Sequence, residues 1–150
     1  MIASKVAATF VLIAGLATTA RAQSPAGATY YPADVVDAAF AKGGPTVLLQ
    51  TGNVRVLTPT RTQAGEAELH ATEGDIFYVV EGAATFVVGG TIAGAHETAP
   101  GETRGASLDG GTPYQLKPGD VITIPAGVPH WFKATQGRFR YLVIKVGATK

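Results

Sequence analysis

Short runs of β-branched and aromatic residues, separated by glycine, proline, asparagine or aspartate, dominate the chain after residue 45 and limit what it can fold into. Such runs are typical of strands, and the residues between them are typical of turns. Many evenly spaced strands favour an all-β sandwich or barrel. The predicted strands are Thr46–Thr51, Asn53–Thr58, Glu66–Ala71, Asp75–Val80, Ala84–Val88, Tyr114–Leu116, Val121–Ile124, His130–Lys133 and Phe139–Val146.

The connections between these strands carry their own signals. Glu81-Gly82 separates two apolar runs at the distance of a β-hairpin, and residues 117–120 (KPGD) read as a turn. Residues 89–113 are predicted to form a long glycine-rich connection between two hairpin-bearing halves. Apolar residues at helical spacing in Asp34–Lys42, followed by two glycines, predict one short helix.

The N-terminal 22 residues have the pattern of a secretory signal peptide. Lys5 precedes the apolar run Val6–Ala20, and Ala20-Arg21-Ala22 ends the segment as a small-x-small cleavage site. A single N-terminal anchor is the alternative. We therefore expect a periplasmic or secreted protein in which residues 1–22 are removed, residues 23–45 form a lead-in with the short helix, and residues 46–150 form the barrel.

Charge and cysteine content exclude several function classes. Removal of Lys5 and Arg21 leaves ten basic against eleven acidic residues, a balance that disfavours nucleic acid or an anionic membrane as a partner. The sequence has no cysteine, which excludes disulfides, thiol nucleophiles and cysteine-ligated metal sites. The fold must then be stabilised by its hydrophobic core.

The three histidines differ in their surroundings. His70 follows Glu68 on one face of a predicted strand, an arrangement found in metal sites and on solvated strand faces alike. His130 lies between Pro129 and Trp131, which indicates a buried imidazole, either a metal ligand or a core histidine bonded to a backbone carbonyl. His96 has no apolar framing and is expected to be an exposed loop residue.

Two segments resemble the paired motifs of the cupin family. From Gly65 to Gly82, His70 matches the second histidine of the first motif, written G(x)5HxH(x)3–4E(x)6G, and Asp75 takes the glutamate position. From Gly119 to Ala134 the chain resembles the second motif, G(x)5PxG(x)2H(x)3N, with Gly119, Pro125, Gly127 and His130 in register. The resemblance covers about Gln50 to Val146. It implies a cupin double-stranded β-helix, or jelly-roll, barrel.

The resemblance also implies a metal site, with departures from the family's pattern. Glu68 replaces the first histidine, Asp75 is one methylene shorter than glutamate, and Ala134 replaces the terminal asparagine. Carried over by position, the implied ligands are Glu68, His70, Asp75 and His130, a set that suits Fe, Mn, Zn or Ni as the divalent ion. If Glu68 does not bind, the other three still form a two-histidine, one-carboxylate triad. Glu68 would then be the best candidate for proton transfer.

Strand alternation suggests which residues surround such a site. Phe132 shares a face with His130, and Phe77 and Val79 share one with Asp75, so these three are expected to line an apolar pocket or to fill the barrel core. The basic residues near the C-terminal strand could neutralise an anionic ligand, although decoration of an edge is favoured. These basic residues are Arg138, Arg140 and Lys145.

Three functions are compatible with this sequence. The first is a metal-dependent oxygenase, isomerase or lyase that acts on a small polar molecule. The second is a barrel that binds a small molecule or metal without turnover, as a scavenger or sensor. The third is a structural barrel with a vestigial site. Because one fold supports many activities, the resemblance does not choose between them. It also makes a homodimer the expected assembly.

Overall fold

A computed structural model describes residues 27–147 of the chain. The predicted signal peptide, residues 1–22, lies outside the described residues. Of the segment Met1–Tyr30, residues 27–30 are described and contain no helix or strand. The chain from Tyr31 onwards forms a compact unit that contains the helix and all strands given below. No helix in the described part of the chain is long and apolar enough to cross a membrane.

The described residues fold into one helix and twelve strands. The helix α1 spans Ala33–Ala41, within one residue of the prediction at each end, and buries Ala39 and Phe40. The strands are β1 (Thr46–Thr51), β2 (Val54–Thr58), β3 (Thr60–Arg61), β4 (Ala67–His70), β5 (Glu73–Val88), β6 (Thr91–Ala93), β7 (His96–Ala99), β8 (Glu102–Gly105), β9 (Ser107–Asp109), β10 (Thr112–Leu116), β11 (Val121–Ile124) and β12 (His130–Gly147).

Two long strands, β5 and β12, form the centre of the barrel. They pair with each other in antiparallel register over most of their length. On its other edge β5 pairs with β10 and β11, whereas β12 also pairs with β2, β3 and β4. The short strands β6 and β9 form a separate two-stranded sheet. The architecture confirms the all-β jelly-roll barrel with one short helix that the sequence predicts.

The prediction of a hairpin at Glu81-Gly82 is wrong, because β5 runs straight through these residues. Gly82 has a φ of +79°, and the register between β5 and β12 shifts opposite it, between Gln136 and Arg140. Glycines with a positive φ occur both in strand bulges and in turns, so the glycine in the sequence did not distinguish a bulge from a hairpin. The bulge reverses which alternate residues face inward: Phe77 and Val79 before it, Ala84 and Phe86 after it.

The prediction that residues 89–113 form only a connection is also wrong. This segment contains the strands β6 to β9 and the start of β10. β8 pairs with β4 and β7 pairs with β8, so the segment extends the main sheet beyond the strand that carries His70. Its strands are stabilised by pairing with distant residues, which no local pattern reveals.

The core has two parts on opposite sides of β4. The larger part fills the barrel and is rich in aromatic side chains, with ring centroids 4.5 to 5.7 Å apart. Its buried members are Phe77, Val79, Ala84, Phe86, Leu116, Ile124, Phe132, Phe139, Tyr141 and Val143. The smaller part consists of Ala67, Val87, Ile92 and Leu108, with Leu69 and Trp131 packed against it. Alternation along β4 therefore sends Glu68 and His70 into the barrel and Ala67 and Leu69 to the other side.

Candidate metal centre in the barrel

The structure brings the four residues of the predicted ligand set together inside the barrel. Glu68 and His70 lie on β4, Asp75 lies on β5, and His130 opens β12 directly opposite Glu68 in the strand register. The two imidazole rings are 5.2 Å apart at their centroids. His70, Asp75 and His130 are each 5% exposed or less, a degree of burial that requires polar partners.

Both histidines are held with one ring nitrogen turned away from the centre. Nδ1 of His70 lies 2.6 Å from Oε2 of Glu102, and Nδ1 of His130 lies 3.1 Å from the carbonyl of Val128. Because a carboxylate and a carbonyl only accept, each Nδ1 must donate a proton. In the neutral rings Nε2 then carries a lone pair and faces the other site residues. Metal-ligating histidines have this arrangement.

Three of these residues form a group suited to one ion. Ligand atoms of Glu68, His70 and His130 all lie within 4.8 Å of one another. Nε2 of His70 is buried, has no hydrogen-bond partner among the described residues, and lies 3.6 Å from Oε2 of Glu68. An unsatisfied buried lone pair beside a carboxylate is the environment that a divalent cation would complete. The donor set therefore fits a metal.

Asp75 stands outside this group, although it is close to both imidazoles. Its Oδ2 lies 3.4 Å from Nε2 of His70 and 3.6 Å from Nε2 of His130. Its Oδ1 accepts a hydrogen bond of 2.8 Å from Nζ of Lys145, which is itself 16% exposed. Glu68, His70 and His130 form the group whose ligand atoms lie within 4.8 Å of one another, and the sequence offered His70, Asp75 and His130 as the alternative triad if Glu68 does not bind.

Glu68 is oriented by two arginines. Its Oε1 lies 2.9 Å from Nη1 of Arg104 on β8 and 3.6 Å from Nη2 of Arg61 on β3. The same carboxylate presents Oε2 to His70, so one oxygen faces the cations and the other faces the histidines. Arg61 is fixed in turn, because its Nε donates to the hydroxyl of Tyr141 at 2.8 Å.

The surrounding charges shift the pKa values of the buried groups in different directions. Burial lowers the pKa of His130, which favours its neutral form. Burial opposes the charged form of His70 as well, but the carboxylates of Asp75 and Glu102 outweigh it and the pKa of His70 is raised. Burial would raise the pKa of Asp75, yet His70 and Lys145 lower it overall. Burial also raises the pKa of Tyr141 to about 12, so this residue stays a neutral hydroxyl.

These residues lie in the wall of a cavity of about 660 Å³. Phe77 and Phe132 line it, as alternation suggests, and Val143 and Tyr141 add to its apolar wall. Val79, grouped with Phe77 at the sequence level, is packed in the core and is not part of the lining. A volume in this range suits a small molecule.

Four charged residues that contact the candidate site residues were not singled out as site residues from the sequence. Glu102 and Arg104 belong to the segment interpreted as a connection, and Arg61 lies on a two-residue strand. Lys145 was expected at an edge but lines the cavity, whereas Arg138 and Arg140 do not and instead pair with Glu81. Lys145 lies on the same strand face as Tyr141 and Val143, both of which line the cavity. His96 is exposed on β7, outside the cavity lining.

Comparisons with known proteins agree with this architecture. A family model described as a cupin domain matches residues 101–145, which include His130 but not Glu68, His70 or Asp75. No curated protein sequence matches the chain. Many solved structures share the fold, among them a Bacillus halodurans protein with a TM-score of 0.57 and 15% identity, which aligns over 83% of this chain and 86% of its own.

Two further solved structures are similar to this chain in fold. An uncharacterized conserved protein with a double-stranded β-helix domain from Klebsiella pneumoniae has a TM-score of 0.56 and 17% identity, over 83% of this chain and 89% of that one. DMSP lyase DddQ from Ruegeria pomeroyi has a TM-score of 0.50 and 18% identity, over 71% of this chain. The chain spans about half of that lyase, 48% of its length. At these identities the likeness concerns the fold.

Proposed function

We propose that the chain is an exported protein of the cupin family, whose domain model matches residues 101–145, and that it holds a divalent metal ion in the barrel and binds or acts on a small polar molecule there. The observation that carries the proposal concerns the two histidines. Their Nδ1 atoms are engaged elsewhere, while Nε2 of His70 is buried beside Glu68 with no hydrogen-bond partner among the described residues.

In this proposal Glu68, His70 and His130 hold the ion. When bound, a divalent ion would act as a Lewis acid toward oxygen atoms of the ligand. Glu102 and the carbonyl of Val128 keep each imidazole in the orientation that ligation requires. Asp75 is the carboxylate left outside the group. In a catalysed reaction Asp75 would therefore be the group that transfers a proton, in place of Glu68, which the sequence suggested for this role.

Metal titration with histidine variants tests the proposal. The purified protein should take up about one Zn²⁺, Mn²⁺, Fe²⁺ or Ni²⁺ per chain, measured by elemental analysis after dialysis. Because loss of an outer partner of a ligand already costs about 10- to 100-fold in affinity, His70→Ala and His130→Ala should each weaken binding by about 100-fold or more. His96→Ala removes the exposed third histidine and is the matched control, with unchanged affinity. Uptake of less than a tenth of an ion per chain would contradict the proposal.

A second candidate is a barrel that needs no metal. The carboxylates of Glu68 and Asp75 already pair with Arg104 and Lys145, so the charges in the cavity are compensated by the chain itself. This observation favours a binding or structural barrel in which the cavity takes up a small molecule directly. The same titration separates the two candidates, since the metal-free barrel predicts no metal uptake by the wild-type protein or by any histidine variant.

Export and assembly complete the proposal. We expect the protein recovered from its native compartment to begin at Gln23, which mass spectrometry of the N-terminus would check. A homodimer would cover the exposed apolar side chains on the outer face of β5 and β11, namely Tyr78, Val80 and Val121. Size-exclusion chromatography should show a dimer that Val121→Glu weakens, and a monomer at every concentration would contradict this assembly.

A further inference from the structure

We propose that Arg61 and Arg104 form a subsite for a small oxyanion, a carboxylate or phosphate group, beside the ligand group Glu68, His70 and His130. The inference rests on the proposed function in one respect: the anion is the charged part of the small polar molecule that the cavity holds. It narrows that molecule to an organic acid or a phosphate ester.

The distribution of charge in the cavity singles out this corner. Elsewhere in the cavity each cation has a carboxylate close by: Nη2 of Arg55 lies 2.5 Å from Oε2 of Glu73, and Nζ of Lys145 lies 2.8 Å from Oδ1 of Asp75. Here two guanidinium groups share a single carboxylate oxygen, Oε1 of Glu68. The exposed Glu66 also lines the cavity, but no ion pair joins it to either arginine. An ion bound by Glu68 would add further positive charge at this point.

The two arginines have unused hydrogen-bonding capacity. A guanidinium carries several N–H donors in a planar fork that matches carboxylate and phosphate. Among the described residues, the guanidinium of Arg61 makes one hydrogen bond, to Tyr141, and Arg104 reaches an acceptor only through Nη1, 2.9 Å from Glu68. Both side chains line the cavity, with 25% and 33% of their surface exposed. The remaining donors are therefore accessible to a ligand in the cavity.

Arg61 is held in place before any ligand arrives. The hydroxyl of Tyr141 accepts from its Nε, and its guanidinium carbon lies 4.6 Å from the ring centre of Phe132. Gly65 supplies the space for the group, because a Cβ built on Gly65 would lie 2.5 Å from Nη1 of Arg61. A cation fixed by a hydroxyl, a ring and a glycine loses little freedom on binding an anion, which favours affinity.

NMR titration of the ¹⁵N-labelled chain tests the subsite. The probes are malonate, inorganic phosphate and malonamide, which has the shape of malonate without its charges. Each is added to the zinc-free protein and to the protein after zinc titration, and the Nε–H signals of the arginines are followed. We expect malonate, phosphate or both to shift the signals of Arg61 and Arg104, and malonamide to leave them unchanged.

Variants separate the subsite from general electrostatic attraction. Because hydrogen bonds to charged groups are strong, Arg104→Gln should weaken the binding of the effective anion by about tenfold or more. Gly65→Ala keeps every charge but displaces the guanidinium of Arg61, and should weaken binding by a similar factor. Arg138→Gln removes an exposed cation outside the cavity and is the control, with a change of less than about twofold.

The outcomes distinguish this inference from the proposed function. A response to malonate alone indicates a carboxylate ligand, and a response to phosphate alone indicates a phosphate ester. Zinc uptake with no arginine response to either anion overturns the subsite and leaves the metal site standing. An arginine response in a protein that takes up none of Zn²⁺, Mn²⁺, Fe²⁺ and Ni²⁺ supports the subsite and overturns the metal site. Equal weakening by Arg104→Gln and Arg138→Gln overturns the subsite.

Discussion

The interior of the barrel has an apolar part and a charged part, and the same two strands supply both. β5 contributes Asp75 to the charged part and Phe86 to the apolar part, while β12 contributes Lys145 and Phe139 in the same way. In the apolar part, aromatic rings pack mainly against one another. In the charged part, buried groups lie beside specific charged partners, and Nε2 of His70 has no hydrogen-bond partner among the described residues. The same two strands therefore stabilise the barrel in two ways, by apolar packing and by charge pairing.

These two kinds of stability respond differently to substitution. Close-packed side chains lose stability in proportion to the volume removed, because the cavity left behind collapses only in part. Buried charges lose stability when one partner is removed, because the other is left uncompensated. A bound ion stabilises every variant that binds it, but only in the charged part can it replace a missing charge and so reduce the loss relative to wild type.

The largest effect is expected in the apolar part, from Phe139→Ala. Phe139 is fully buried, packs against Phe132 and Tyr141, and does not line the cavity. The substitution should reduce the free energy of unfolding by about 3–5 kcal/mol, measured by denaturant titration. Zinc stoichiometry below the transition should be unchanged. Val47→Ala on the exposed surface of β1 serves as the control, and a loss below about 1 kcal/mol for Phe139→Ala would contradict this packing.

The next effect is expected in the charged part, from Lys145→Met. Lys145 is the cation closest to the buried Asp75, so its loss leaves a carboxylate beside two imidazoles. Because Lys145 keeps some exposure to water, the cost should fall at the low end for a buried pair, about 3 kcal/mol in the zinc-free protein. Zinc stabilises every variant that binds it, so each loss is measured relative to wild type at the same zinc concentration, and this loss should shrink for Lys145→Met and stay unchanged for Phe139→Ala. If zinc reduced the loss of unfolding free energy equally in both variants, the distinction between a charged and an apolar part of the interior would be contradicted.

A smaller effect is expected at the bulge that both parts share. Gly82 has a positive φ, and a Cβ there would lie 2.1 Å from the carbonyl oxygen of Arg138. Gly137, with a φ of +68°, has no atom within 4 Å of the same position. Gly82→Ala should therefore cost about 2–3 kcal/mol, and Gly137→Ala about 1 kcal/mol, which reflects the backbone conformation alone. Equal losses in thermal or denaturant unfolding would contradict the steric role of Gly82.

The sequence predicted the architecture and the convergence of the two histidines for identifiable reasons. Short β-branched runs between turn residues indicate a barrel wherever they repeat, and one short helix follows from helical spacing before two glycines. Alternation in β4 places Glu68 and His70 on one face. His130 could be matched with them only through the resemblance to cupin motifs, since residues 60 positions apart share no local pattern.

The other charged residues of the cavity escaped prediction because their positions depend on distant pairing. Glu102 and Arg104 lie in a glycine-rich segment that becomes a strand through its register with β4. Lys145 follows an apolar run, Tyr141–Ile144, whose two faces are both apolar, so alternation alone does not tell which face is inside. The bulge at Gly82 further reverses the inward positions within β5, and no local signal distinguishes it from a hairpin.

The smallest effect is expected from Arg138→Gln, which removes an ion pair formed by the same two strands outside the barrel. Nη2 of Arg138 lies 2.8 Å from Oε1 of Glu81, the same distance as in the pair of Lys145 with Asp75. The side chains of Arg138 and Glu81 are 53% and 41% exposed, so water solvates both charges when the pair is broken. Loss of stability should be about 0.5 kcal/mol and should shrink further at high salt. A loss as large as that of Lys145→Met would mean that burial does not set the strength of these two pairs.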